Sequence, residues 1–163
     1  MLYSFLKSLS DQEEDIVKTI LAPIDFSDVT GDVIQTAGQI AKAFHASLYL
    51  LHVAPPDPYF VGYERGPQTV RDSVAQEIRK GQYYLQEVEA EAKDMGVDVH
   101  ALQVQGATLE KILKETERLK ADLIVLGSHG RGALQKLLVG SVVEGILRKA
   151  PCPVLIVPSF GKK

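Results

Sequence analysis

A segment rich in glycine and serine, GSHGRGALQKLLVGS, runs from Gly127 to Ser141 and contains four glycines and two serines. Glycine has no Cβ, so another atom can approach its backbone closely. Backbone N–H groups exposed in this way bind phosphate oxygens, and Arg131 adds a positive charge. The segment therefore predicts two backbone cradles for phosphate, at 127–130 and at 140–142, between which a triphosphate would fit.

The second cradle lies where a helix is predicted to begin. Ser141 and Glu144 have the S-x-x-E spacing of a capping box, and apolar residues follow at helical spacing. A helix that begins at Ser141 directs its free N–H groups and the positive end of its dipole at the glycine-rich segment, which favours anions. The alternative is a glycine-rich tight turn followed by an ordinary capped helix.

Two well-known phosphate-binding motifs do not account for these glycines. The dinucleotide motif G-x-G-x-x-G is expected after the first strand, where the sequence instead reads PIDFSD. The motif G-x-x-x-x-G-K-[ST] is also absent, because its glycine pair and its lysine are missing. Any phosphate site formed here must be of another type.

Five apolar runs predict the strands that would position this segment. They cover residues 17–25, 46–53, 97–104, 122–127 and 153–157. The first, second and fourth are nearly continuous in apolar character, which is typical of a parallel sheet covered on both faces. The third alternates between apolar and polar residues, which predicts a half-exposed edge strand.

Helical periodicity fills the gaps between these strands. The first helix is predicted after Ser27 and Asp28, both good N-cap residues. The other helices are predicted over 68–95, 109–119 and 142–149. Gly96 and Pro151 are expected to end the second and the fourth helix. Because strand and helix alternate along the chain, the sequence predicts an α/β fold with a parallel sheet.

Composition and length fit one globular domain, predicted over 16–160 after an N-terminal extension of residues 1–15. The chain has 163 residues, of which 45% are hydrophobic and 24% charged. The extension is expected to be either a short amphipathic helix docked on the domain or on its partner, or a disordered tail. The irregular segment 54–67 is expected to be either a lid beside the site or a surface loop without ligand contacts.

Charge and cysteine content exclude several classes of protein. The net charge of −3 at pH 7 argues against a nucleic-acid-binding protein, which usually has a basic face. No apolar run is long enough to span a membrane, and the sequence lacks the pattern of a signal peptide. Cys152 is the one cysteine and is expected to be a small buried apolar residue rather than a nucleophile. A cytoplasmic protein that binds neither membrane nor nucleic acid is therefore expected.

The spacing Gly127-x-x-Gly130-x9-Gly140-Ser141 resembles the ATP-binding signature of the universal stress protein family. The segments ILAPIDFSD, LLHV, VQG and PCPVLIVP resemble further family segments in the same order, so the similarity covers about residues 17–158. The resemblance implies a Rossmann-like open sheet of five parallel strands in the order 3-2-1-4-5, with helices on both faces. It also implies a homodimer and a bound adenine nucleotide, which is ATP, ADP or AMP, with Mg²⁺ as a possible companion.

The resemblance further implies which residues contact the nucleotide. Those near the adenosine are Pro23, Asp25, Val53, Leu126 and Gly127, with Asp25 in reach of the ribose hydroxyls and the backbone of Val53 at the adenine edge. Those near the phosphates are Gly130, Arg131, Gly140, Ser141, Val142 and Val143. His129 is expected to be a loop residue near a phosphate or a metal-bound water, not a catalytic base.

Three functions remain open at this point. The first is a stress-response or signalling module whose bound nucleotide biases its interaction with an unidentified signalling partner. The second is a slow ATPase, or a phosphoryl- or nucleotidyl-transfer enzyme on the same fold; no Walker lysine is present, so its chemistry would be slow. The third is a dimeric interaction protein that no longer binds nucleotide, against which the intact glycine–serine pattern counts.

The last predicted strand, 153–157, is expected at an edge of the sheet. It is apolar and is bounded by Pro153 and Pro158. Because an exposed edge strand can pair with another chain, we predict a two-fold homodimer joined through this strand, as the family resemblance also implies.

Overall fold

The structure is a computed structural model of the chain and describes residues 17–56, 68–128 and 140–158. Within these ranges, strands and helices alternate as the sequence predicts. The elements are β1 (Thr19–Ile24), α1 (Thr30–Phe44), β2 (Ser47–Ala54), α2 (Gln68–Asp94), β3 (Val99–Gln105), α3 (Thr108–Leu119), β4 (Leu123–Gly127), α4 (Ser141–Lys149) and β5 (Val154–Val157). The predicted extension 1–15, most of the loop 54–67, and His129, Gly130 and Arg131 lie outside the described residues.

The five strands form one parallel sheet in the order β3-β2-β1-β4-β5. This confirms the predicted Rossmann-like class and strand order, and it places β3 and β5 at the two edges. The chain builds outward from β1 to β3 on one side, then returns and builds from β4 to β5 on the other. In open α/β sheets, ligands bind at such a reversal, beyond the carboxyl ends of the strands.

Helices cover both faces of the sheet, and each face has its own apolar core. Ile20 and Ala22 of β1 face the core that includes buried residues of α1 and α2. Leu21 of β1 faces the other core, to which α3 contributes Ile112 and α4 contributes Ile146. Burial of β1 from both sides explains why its sequence is apolar without alternation.

The N-terminus of α1 differs from the prediction. Val29 occupies the N-cap position and no side chain caps the helix, so the prediction that Ser27 or Asp28 caps it is wrong. A turn forms first, in which the carbonyl oxygen of Ser27 accepts the N–H of Thr30 at 3.1 Å. The helix therefore begins later than the two favourable cap residues suggest.

The predicted capping box of α4 is also wrong. Gly140 is the N-cap residue, Ser141 is the first residue of the helix, and no side chain caps it. The carboxylate of Glu144 pairs with the guanidinium of Arg148 at 2.6 Å instead of reaching back. The N–H of Glu144 donates to the carbonyl of Gly140 at 3.0 Å, so the helix starts at a residue that has no side chain to cap it.

Other boundaries agree with the sequence. Gly96 has a φ of +76°, and its N–H donates to the carbonyl of Lys93 at 2.9 Å, as expected of a glycine that ends a helix. β3 lies at a sheet edge with most of its residues half-buried. Among the described helices, none has the length and apolar character that crossing a membrane requires.

Candidate functional site

A cavity of about 480 Å³ opens beyond the carboxyl ends of β1, β2 and β4. This volume lies within the range of small-molecule sites. Nine of the predicted site residues fall in the described part of the chain, and all of them line this cavity: Pro23, Asp25, Val53, Leu126, Gly127, Gly140, Ser141, Val142 and Val143. The fold therefore brings together residues from four separate segments of the sequence.

The pairing of β1 with its two neighbours explains why the cavity opens here. The ladder between β1 and β2 continues to the pair Ile24↔His52. The ladder between β1 and β4 ends already at Leu21↔Ile124. Pro23 lies two residues beyond that last pair and has no N–H to donate to a neighbouring strand. The two central strands therefore share no ladder pairs at their carboxyl ends, where the cavity opens.

Gly127, at the end of β4, lies tightly against the start of α1. A Cβ added at Gly127 would lie 2.5 Å from Cγ1 of Val29, which is closer than real Cβ atoms approach. The packing of α1 on β4 therefore requires glycine at this position. The sequence predicts that this glycine admits a ligand, and the structure adds a requirement of the fold itself.

Asp25 follows β1 at the rim of the cavity, and its conformation is fixed by the next residues. Its Oδ1 accepts the N–H of Ser27 at 3.1 Å. Phe26 between them has a φ of +59°, a left-handed conformation that is uncommon for a bulky residue. The Phe26 ring lies against His52, with ring centroids 4.5 Å apart, and against Tyr84, at 5.5 Å. Aromatic contacts from β2 and α2 thus support the turn that carries Asp25.

Three helices begin at the cavity, and each contributes a hydroxyl-bearing first residue: Thr30 of α1, Thr108 of α3 and Ser141 of α4. The N-terminus of a helix carries a partial positive charge and free N–H groups, which attract anions. Asp25 is the one charged side chain among the described lining residues. Ser141 was predicted from the sequence, whereas Thr30 and Thr108 were not, since neither belongs to a recognisable motif.

Cys152 does not line this cavity. It packs against the core that α3 and α4 cover, but it is half-buried rather than buried as predicted. Burial, and to a smaller extent the charge of Asp122, raises the pKa of its thiol. A raised pKa disfavours the thiolate, so this cysteine is not set up as a nucleophile.

Similarity to known proteins agrees with the fold and with this site. The model of the universal stress protein family matches residues 17–158. The chain belongs to the universal stress protein family. Universal stress protein MJ0531 of Methanocaldococcus jannaschii is 36% identical over 157 residues, which cover 95% of this chain and 90% of the relative.

Solved structures of related proteins have the same architecture as this universal stress protein. The structure of MJ0577 from Methanocaldococcus jannaschii aligns with a TM-score of 0.73 at 29% identity, covering 87% of this chain and 96% of that chain. A universal stress protein solved in complex with cAMP aligns with a TM-score of 0.60 at 28% identity, covering 86% and 96%. The second of these relatives was therefore crystallised with an adenine nucleotide.

Proposed function

We propose that this universal stress protein binds an adenine nucleotide, which is ATP, ADP or AMP, in the cavity at the carboxyl ends of the strands. The observation that carries the proposal is the convergence of nine predicted contact residues on this one cavity. The complex of a 28% identical family member with cAMP supports the choice of an adenine nucleotide. The bound nucleotide would bias the interactions of a stress-response or signalling module.

The lining of the cavity suits the three parts of such a ligand. Apolar residues, among them Leu51, Val53 and Ile112, offer a surface for the adenine ring. The Asp25 carboxylate is a hydrogen-bond acceptor for the ribose hydroxyls. The first turn of α4, from Ser141 onward, offers free N–H groups for phosphate oxygens, and Gly140 leaves room beside them. His129, Gly130 and Arg131 complete the proposed phosphate contacts from the segment outside the described residues.

Mg²⁺ would be held mainly by the nucleotide rather than by the protein. Asp25 offers the one carboxylate among the described lining residues, and no described group of three or more His, Cys, Asp and Glu side chains is placed to hold a metal. Mg²⁺ in nucleotide sites is commonly bound by one or two carboxylates together with the phosphates. Since Asp25 is assigned to the ribose hydroxyls, the phosphates and water would supply most ligands of such an ion.

Calorimetry with matched variants tests the proposal. Asp25→Asn keeps an oxygen that can accept the N–H of Ser27 but loses the charge offered to the ribose hydroxyls. We expect the ATP affinity to fall about tenfold, since hydrogen bonds to charged groups are worth about 1.5–3 kcal/mol. Asp28→Asn is the control, because Asp28 is exposed and does not line the cavity. Wild-type protein that binds none of ATP, ADP and AMP would refute the proposal.

The alternative function, slow hydrolysis or transfer of a phosphoryl or nucleotidyl group, uses the same cavity. It would be recognised by following the release of ADP and phosphate, or of AMP and pyrophosphate, from ATP incubated with the pure protein. If Asp25→Asn lowered the rate of ATP turnover in proportion to the fraction of protein with bound ATP, the enzymatic function would be favoured. Bound ATP that stays intact would favour the signalling module.

We also propose that the chain forms a two-fold homodimer through β5. This strand lies at the edge of the sheet, and Leu155 in it is 36% exposed. An apolar edge strand is a template for pairing with a second copy. Sedimentation should give a dimer at micromolar concentration, and Leu155→Lys should shift it toward monomer. A monomeric wild-type protein would contradict this assembly.

A further inference from the structure

Thr30, the first residue of α1, is a buried threonine whose hydroxyl lacks a hydrogen-bond partner. The residue is 7% exposed. Its Oγ1 is shielded from solvent and makes no hydrogen bond within the described part of the chain. Burying a hydroxyl without a partner costs stability, so buried hydroxyls normally have one. The position therefore calls for an explanation.

Thr116 in α3 shows how a buried helical threonine is usually satisfied. It is 1% exposed, and its Oγ1 donates to the carbonyl of Ile112, one turn earlier, at 2.7 Å. Thr30 begins its helix, and it is preceded by the turn closed at Ser27 rather than by a turn of α-helix. The residue four positions earlier is Phe26, whose left-handed conformation lies outside the helix. The local backbone that satisfies Thr116 is thus missing at Thr30.

The surroundings of Thr30 indicate what kind of group would satisfy it. Thr30 lines the same cavity as Asp25 and Gly127. Its neighbour Val29 packs directly against Gly127, so α1 begins between the end of β1 and the end of β4. α1 has 15 residues, and its N-terminus adds positive potential there. Asp32, in the first turn of α1, is exposed to solvent, which screens its charge.

We propose that the Thr30 hydroxyl donates a hydrogen bond to the phosphate group nearest the ribose of the bound nucleotide. This assignment rests on the proposed function, which puts the ribose at Asp25 and the phosphates between Gly127 and Gly140. A hydrogen bond to a charged phosphate oxygen is stronger than one between neutral groups. No intramolecular hydrogen bond has to break when it forms, because the hydroxyl has none among the described residues.

Thr30→Val removes the hydroxyl and keeps the branched shape of the side chain. Thr36→Val is the matched control, since Thr36 lies on the same helix and does not line the cavity. Calorimetry with ATP, AMP, adenosine and inorganic tripolyphosphate separates the parts of the ligand. We expect Thr30→Val to weaken ATP, AMP and tripolyphosphate about tenfold and to leave adenosine unchanged. The melting temperature without ligand should not fall, because no internal hydrogen bond is lost.

Several results would overturn this assignment. An equal loss of adenosine affinity would mean that the hydroxyl contacts the nucleoside. A melting temperature well below that of Thr36→Val would mean that the hydroxyl has a partner within the protein. If the wild type bound tripolyphosphate but neither ATP nor adenosine, the proposed function would fail, and the effect of Thr30→Val on tripolyphosphate would still decide the role of Thr30. A wild type that binds none of the four probes would refute both proposals.

Discussion

Gly127 and Gly140 belong to the same glycine pattern, yet the structure gives them different reasons to be glycine. A side chain at Gly127 would collide with Val29, so the packing of α1 on β4 requires glycine there. Gly140 has φ −64° and ψ 152°, a conformation that any residue adopts. The backbone thus does not require glycine at position 140, and the proposed phosphate contact is the better explanation there. One glycine of the pattern serves the fold, and the other is assigned to the ligand.

The largest expected effect is that of Gly140→Glu on nucleotide binding. The new carboxylate would lie beside the free N–H groups of α4, where we place phosphate oxygens. Steric exclusion and repulsion between like charges act together, so the ATP affinity measured by calorimetry should fall at least about a hundredfold. Thermal unfolding should be little changed, because a negative charge near a helix N-terminus is favourable.

Gln35→Glu serves as the control for added charge. Gln35 is exposed on α1 and does not line the cavity. The variant gains the same negative charge and should bind ATP like the wild type. If a folded Gly140→Glu variant also bound ATP like the wild type, the phosphate site at Gly140 would be wrong.

Gly127→Ala should lower stability in addition to any effect on binding. The added methyl group meets Val29, and overpacking of this kind costs about 1–3 kcal/mol in free energy of unfolding. Chemical denaturation measures the loss. In a double-mutant cycle, Val29→Ala should relieve part of the strain, so that the double variant loses less than the sum of the two single losses. If the double variant lost the full sum of the two single losses in free energy of unfolding, contact with Val29 would not be the reason for glycine at position 127.

Gly140→Ala should have the smallest effect on stability and on ATP binding among the variants of Gly127 and Gly140. The free energy of unfolding should change by no more than about 0.5 kcal/mol, because alanine accepts this backbone conformation although it is a poorer N-cap than glycine. The ATP affinity should fall by about tenfold or less, since a methyl group crowds the phosphate without repelling its charge. A stability loss as large as that of Gly127→Ala would remove the distinction between the two glycines.

The fold was largely predictable because its signals are repeated along the chain. β1, β2 and β4 are buried on both faces, and their near-continuous apolar runs reflect this burial directly. The half-exposed β3 showed alternation for the same physical reason. Strand order came from the family resemblance, since parallel strands leave no local mark of their neighbours.

The helix starts were predicted wrongly because distant contacts decide them. Ser27 has a suitable cap side chain, but the turn before α1 depends on the left-handed Phe26 and its contacts with His52 and Tyr84. Those two residues are far away in sequence, so no local pattern indicates the turn. At α4, the Glu144 side chain pairs with Arg148 of its own helix rather than with the cap.

The candidate site was predictable where a motif marks it and not elsewhere. Gly140 was identified from the glycine-rich segment and Asp25 through the family resemblance, and both line the cavity. Thr30 was missed because its significance lies in a hydroxyl left without a partner at the start of a packed helix. Hydrogen-bond satisfaction is a property of the folded chain, and a single sequence does not report it.

The early end of the ladder between β1 and β4 has a mechanical consequence. Two register pairs join β1 to β4, whereas six join β1 to β2. The sheet can therefore be divided into a block of three strands, β3-β2-β1, and a block of two strands, β4-β5, which share a short ladder, here called the seam. Asp25 belongs to the first block and Gly127 to the second. A molecule held by both would bridge the seam and stiffen the joint between the blocks. The edge strand β5 pairs with β4, so the surface proposed for assembly and the Gly127 side of the cavity belong to the same block.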